Sequence, residues 1–210
     1  RLTEMRVGFI FDLQDYYPTS AAGYIADTES LPGRALTAFF EGITRLLVRS
    51  ADVVTVPGVA LAMYARRVGA KRVEVVPNGI SDHFLVEHDR SSARKKLGFS
   101  DSDIVVGYVG SVEFWLDMEP LIKAVALARR DVDIKLLIVG KHLQSGYAQR
   151  VEKWIREYGV SDITTWIDFV PHEEVPLYMA SMDVGTIPFK VSNPTAFYAA
   201  PNKLWEYLSQ

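Results

Sequence analysis

The chain has 210 residues, 49% of them apolar and 23% charged, with a formal net charge of −3. A balanced charge with no block of one sign excludes non-specific nucleic-acid binding, which needs a basic face. The apolar fraction is enough for the core of one large domain or two small ones. Cysteine is absent, which excludes disulfides, thiolate metal sites and a cysteine nucleophile. No apolar run reaches the roughly 18 residues of a membrane span, and the N-terminus lacks a signal-peptide pattern. A cytoplasmic protein is expected. The chain opens on Arg1-Leu2-Thr3 and closes at the end of a helical pattern, so a fragment of a longer protein is expected.

Short β-rich runs alternate with helical patterns along the whole length, which predicts an α/β, doubly wound parallel sheet. Arg6 to Phe11 reads as a strand ending at Asp12. Asp12 and Asp15 follow directly and read first as solvated turn aspartates, although the place also suits acceptor binding, catalysis or a metal. Ala35 to Arg49 carries Leu36, Phe39, Phe40, Ile43, Leu46 and Leu47 on one broad helical face. With Arg34, Arg45 and Arg49 around it, this helix is either a core helix or a membrane-surface helix. Asp52 to Val56 reads as a buried strand, Val59 to Val68 as a helix stopped by Gly69, and Val73 to Val76 as a further strand. Pro77-Asn78-Gly79 is a strong turn signal.

From His83 to Asp103 the pattern becomes charged, with one short helix at Ser92 to Leu97. A division into residues 1–84 and 85–210, with a hinge from Pro77 to about Arg90, is the expected domain organisation. The second region restarts with the strand Ile104 to Val109, closed by Gly110-Ser111. A helix from Met118 to Arg130, a strand from Ile134 to Val139 closed by Gly140-Lys141, and a helix from Tyr147 to Tyr158 follow. Next come a strand from Thr164 to Val170, a helix from Glu173 to Ser181 entered through Pro171-His172, and a strand from Asp183 to Ile187. The polar, aromatic loop Val191–Ala200 precedes the closing segment Pro201 to Gln210.

That closing segment carries the most chemistry. Proline suits a first helical turn, the free N–H groups at Asn202 and Lys203 suit an anion, and Lys203 adds a point charge. Glu206, one turn on, can accept hydrogen bonds from sugar or ribose hydroxyls. Ligands of open α/β sheets bind at the carboxyl ends of strands. The turns Gly110-Ser111, Gly140-Lys141, Val170-Pro171 and Pro188-Phe189 therefore share one rim with Lys203 and Glu206.

These segments resemble, in order and spacing, the GT-B-fold retaining glycosyltransferases of group 1, also called family four. The resemblance rests on Asp52-Val53-Val54-Thr55-Val56, on Val76-Pro77-Asn78-Gly79-Ile80-Ser81-Asp82-His83-Phe84, and on Val106-Gly107-Tyr108-Val109-Gly110-Ser111 with Trp115. Leu137 to Gly140, Ser181 to Gly185 and Pro201 to Leu208 complete it. It implies the last part of an acceptor-side Rossmann-like domain followed by most of a donor-binding one. It further implies that Glu206 and Lys203 act in catalysis, Glu206 on the nucleotide ribose and Lys203 on the diphosphate. Gly110, Ser111 and Asn202 would also face the phosphates, the backbone of Val170 and Pro171 would border the base, and Lys141 would lie on the same rim. No cofactor or metal is implied. The partners implied are a nucleotide-diphosphate sugar and a glycan or lipid-linked acceptor, with possible peripheral membrane association at the inner face. Sugar choice is expected in the Val191–Ala200 loop.

The chain departs from the family in two places. The first glutamate of the family's pair falls at Tyr198, and the places of an arginine and lysine after the glycine turn hold Ser111 and Leu116. A branch with a Gly-Ser…Trp-x-Asp loop and a Pro-x-Lys-x-x-Glu-Tyr helix is more similar, with Lys203 taking the phosphate duty. A GT-B sugar-nucleotide epimerase and a non-catalytic nucleotide-binding module are the alternative readings. His83, His88, His142 and His172 lack metal-ligand spacing. His172 is expected to cap a helix and His83 and His88 to be solvated, while His142, after Lys141 at a strand end, is readable either as solvated or as reaching a phosphate or sugar. Phe114 and Trp115 are expected either to wall the cleft or to pack in the core.

Overall fold

A computed structural model describes residues 8–141 and 145–210 of the chain. The chain divides into two compact units, residues 1–78 with 191–200 and residues 79–190 with 201–210. The expectation placed the division after residue 84. It falls instead after Asn78, and the Val191–Ala200 segment groups with the first unit.

The first unit holds a parallel sheet of order β1-β2-β3, formed by Ile10–Asp12, Val53–Val56 and Val73–Val75. Parallel neighbours need helical crossovers, supplied by α1 (Tyr17–Gly23), α2 (Leu31–Ser50) and α3 (Val59–Val68). The start of α2 lies earlier than the apolar pattern showed, because Ser30 caps it by accepting from the Gly33 amide and Pro32 sits in the first turn. The expected apolar face of α2 is only partly buried. Gly33, Thr44 and Val48 are buried, whereas Phe39, Ile43 and Leu46 are exposed. Gly33 lies against the Asp27 carbonyl in the connection between α1 and α2, where a Cβ would overlap. Gly69 ends α3 in the left-handed conformation at φ 102°, as a C-terminal glycine should.

In the second unit a short 3₁₀ turn at Asp82–Leu85 leads to α4 (Arg90–Leu97), and a four-stranded parallel sheet of order β6-β5-β4-β7 follows. Its strands are β4 (Ile104–Val109), β5 (Ile134–Val139), β6 (Thr164–Ile167) and β7 (Val184–Gly185). Its helices are α5 (Met118–Ala128), α6 (Ser145–Glu157) and α7 (Val175–Ala180). Residue alternation along β4 and β5 divides the core in two. Tyr108, Leu136 and Ile138 pack with Ile122, Val125, Val151 and Ile155. Val105, Val109, Leu137 and Val139 pack with Phe84, Val175 and Met179. Burial on both faces explains why these strands read as unbroken apolar runs.

β6 and β7 are shorter than expected, and Pro171-His172 opens a 3₁₀ turn rather than α7 itself. The His172 ring makes no capping bond. It lies edge-on to His83, with centroids 4.6 Å apart, and against Phe84. His83 is therefore packed rather than solvated. The residues from Val191 to Ala200 hold α8 (Pro194–Tyr198), and α9 (Asn202–Leu208) closes the chain.

One buried cation ties α4 to the amino ends of the sheet. Arg94 is 1% exposed. Its Nε donates to the Ser181 carbonyl at 3.0 Å, its Nη1 to the Asp101 carbonyl at 2.8 Å, and its Nη2 pairs with the Asp183 carboxylate. Asp183 also accepts from the Val105 amide at 2.7 Å. Loss of Arg94 would leave the Ser181 and Asp101 carbonyls without their donor and the Asp183 carboxylate with Arg90 as its remaining cation. Arg94→Met should lower unfolding stability by about 3 kcal/mol in chemical denaturation; a loss under about 1 kcal/mol would show that solvent replaces the guanidinium.

Candidate functional site

The site is built on two glycines at the carboxyl ends of β4 and β5. Gly110 has φ +140°, a region that side chains rarely adopt. A Cβ there would overlap Cε and Nζ of Lys203. The lysine therefore lies where a side chain at residue 110 would be. Gly140 is forced by contact: a Cβ on it would run into the Gly110 carbonyl. The Gly110 amide donates to the Val139 carbonyl at 2.8 Å, the Val112 amide to the Lys141 carbonyl at 3.1 Å, and the Gly140 amide to the Ile167 carbonyl at 2.8 Å. The Trp166 indole N–H donates to the Gly140 carbonyl at 3.1 Å.

Tyr207 places α9 over this rim. Its hydroxyl accepts from the Val109 amide at 3.0 Å and donates to the Thr186 carbonyl at 3.2 Å. Its ring rests on Gly185, where a Cβ would come within 2.6 Å of a ring carbon. Burial pushes the Tyr207 hydroxyl well above the ordinary phenol range, so it stays a neutral donor. Tyr108 donates to the Ser111 carbonyl at 2.8 Å and holds the turn from beneath.

The turn is closed on its outer side by residues 112–118 and 188–190. The Asp117 amide donates to the Pro188 carbonyl at 2.6 Å and the Lys190 amide to the Trp115 carbonyl at 2.8 Å. Tyr147 donates to the Leu116 carbonyl at 2.5 Å. Phe114 and Trp115 are packed against the core rather than free in a cleft, and Glu113 is fully buried.

Of the residues expected in the site, Gly110 and Lys203 meet, and Glu206 lies one turn beyond Lys203 on α9. Ser111 and Lys141 are held through their carbonyls. Val170 packs in the same core cluster as Tyr207, and Pro171 opens the turn after it. Asn202 opens α9 and is exposed. His142 lies outside the described residues. No role was assigned from the sequence to Tyr207, Gly185 or Tyr108, although Tyr207 closes the Pro-x-Lys-x-x-Glu-Tyr pattern.

Asp12 and Asp15 belong to the first unit. The Asp12 carboxylate accepts from Gln14 Nε2 at 2.7 and 2.8 Å and from Thr55 Oγ1 at 2.6 Å. Asp15 accepts from the Tyr16 amide, and burial raises its pKa above the ordinary carboxylate value. Among the described residues no group of three or more His, Cys, Asp or Glu could hold a metal ion, and no helix is long and apolar enough to cross a membrane.

Residues 89–191 match the family model "Glycosyl transferases group 1". This stretch belongs to the group 1 glycosyl transferases. Over 121 residues the chain is 28% identical to a D-inositol 3-phosphate glycosyltransferase of Segniliparus rotundus, a match covering 56% of this chain and 27% of that protein. A sucrose-phosphate synthase from Thermosynechococcus elongatus matches with a TM-score of 0.66 at 22% identity, over 90% of this chain and 47% of its own. The Anabaena protein HepE, solved in complex with UDP-glucose, matches with a TM-score of 0.66 at 20% identity, over 80% of this chain and 45% of its own. These likenesses show the Rossmann-like GT-B fold. The chain spans less than half the length of each of the three proteins.

Burial lowers the Lys203 pKa below the ordinary lysine value, and the Glu206 carboxylate partly opposes the shift. An anion needs the protonated amine, so affinity is present below the lowered pKa and lost as pH rises through it. Inorganic pyrophosphate binding measured by calorimetry should weaken as pH rises through that lowered value, before an ordinary lysine titrates. Lys203→Arg should flatten that limb, because guanidinium stays charged; the same limb in both proteins would assign it elsewhere.

Proposed function

We propose that the chain is the donor-binding part of a glycosyltransferase that moves a sugar from a nucleotide-diphosphate sugar to an acceptor hydroxyl. The observation that carries this reading is the Lys203 ammonium laid against the side-chain-free backbone of Gly110. A desolvated cation beside an open strand-end turn is an arrangement suited to a diphosphate. The group 1 family match and the UDP-glucose held by HepE on the same fold support a nucleotide sugar, with UDP the first nucleotide to test.

In this reading Lys203 neutralises charge growing on the leaving diphosphate, and the Gly110-Ser111 turn lets the phosphates approach the backbone. Glu206, one turn further along α9, accepts from the ribose hydroxyls and sets the nucleotide's orientation. Tyr207 holds all three on one rigid frame. Retention of configuration follows in this reading from attack on the face the diphosphate leaves, with no covalent enzyme intermediate. Product analysis of a UDP-sugar incubated without acceptor separates transfer from epimerisation, since only an epimerase changes the sugar on its nucleotide.

Lys203→Ala should weaken UDP binding by about tenfold or more, the worth of a charge-assisted contact. Lys123→Ala, on α5, should leave it within about twofold, as surface substitutions away from a site usually do. Glu206→Gln should weaken UDP but not inorganic pyrophosphate, because only UDP carries the ribose. Equal, small effects at Lys203 and Lys123 in a thermal-shift titration would sink the assignment.

A further inference from the structure

Away from the glycine turns, the second unit carries a cleft of about 410 Å³ between α6 and β6, a size that suits a small-molecule site. Its lining includes Thr164, Trp166 and Asp168 along β6 and just past it, Glu152 and Arg156 on α6, and Ser161 between the two elements. Alternation along the strand puts 164, 166 and 168 on one face. Trp166 packs with the core that Val151 and Ile155 share, whereas Ile167 and Val170 pack with Tyr207 in the other core cluster. The cleft therefore lies on the opposite face of the sheet from Tyr207. β6 is an edge strand, paired with β5, and an edge strand presents main-chain N–H and C=O groups on its outer side.

The chemistry of this lining is that of a sugar site. Trp166 is its fixed wall, because the indole N–H donates to the Gly140 carbonyl at 3.1 Å and holds the half-buried ring in one orientation. Thr164 Oγ1 donates to the Val160 carbonyl at 2.8 Å, which leaves its lone pairs to accept. The Asp168 carboxylate is an exposed acceptor, and Arg156 lies 3.9 Å from Glu152, one turn away on α6. A pyranose ring has an apolar C–H face, which packs on an aromatic ring, and a rim of hydroxyls, which bond to carboxylates, guanidinium and other hydroxyls. Two carboxylates against one guanidinium disfavour an anion. We propose that the cleft is a binding site for a neutral glycan, with one sugar ring on Trp166 and its hydroxyls on Asp168 and Arg156. The proposal stands apart from the diphosphate reading, because none of these side chains belongs to the Gly110 turn or to α9.

The test is an NMR titration of the full chain with maltotriose, cellotriose and mannotriose, watched at the Trp166 indole N–H resonance. Each titration is run alone and again with UDP already saturating. At least one trisaccharide should move the resonance to saturation, with the same dissociation constant in both conditions. Asp168→Ala, an exposed change that spares the fold, should weaken that sugar about tenfold, the worth of a hydrogen bond to a charged group. Arg156→Gln should act in the same direction. A hyaluronan tetrasaccharide, which carries carboxylates, should bind more weakly than the neutral sugar. No movement with any of the three trisaccharides, or the same affinity in Asp168→Ala as in the parent chain, would overturn the proposal. Displacement by UDP would place the sugar at the glycine turns and overturn it as well, and tighter binding of hyaluronan would contradict the neutral ligand.

Discussion

The candidate site depends on one steric fact: residue 110 has no side chain. The space a Cβ would take is filled by the end of Lys203, so a flexible, strongly hydrated ammonium becomes a fixed and partly desolvated one. Free lysine side chains give phosphate little directional preference because their rotamers are many. In this protein the rotamer is selected by packing, at the cost of a lowered pKa. An anion brought to the turn would offset that cost, because its charge favours the protonated amine that burial disfavours.

Holding a lysine in place from a seven-residue helix requires the helix itself to be held. Isolated helices of that length are not stable in water. Tyr207 supplies the fixation, because one hydroxyl bonds two strand ends and the ring occupies the space left by Gly185. The arrangement repeats the logic of Gly110. Two glycines at the ends of the neighbouring strands β4 and β7 admit two side chains from α9, Lys203 and Tyr207, and the helix is locked by both. Gly140 extends the pattern, bringing the β5 turn against the β4 turn closely enough that their backbones share hydrogen bonds.

Much of this was legible in the sequence. The alternation of apolar runs pointed to the parallel α/β plan, because strands buried on both faces and helices buried on one leave different periodicities. Lys203 and Glu206 were visible from their spacing after Pro201, and Gly110 from its place at the end of β4. Tyr207 was visible in the Pro-x-Lys-x-x-Glu-Tyr pattern, but its task was not, because its two bonds join strand ends far away in sequence. The misplaced face of α2 has a similar cause. Its buried residues are Gly33, Thr44 and Val48, and apolar periodicity counts only the last. The division after Asn78 was blurred by the charged stretch beyond it, and the return of Val191–Ala200 to the first unit leaves no compositional trace.

The most direct test of the central claim is a titration of the full chain with UDP, watched by NMR at the Lys203 ammonium and the Gly110 amide. Both resonances should move together and saturate at one dissociation constant, matched by the phosphorus signals of the nucleotide. If UDP binds while these two resonances stay still, the diphosphate lies elsewhere and Lys203 is not its partner.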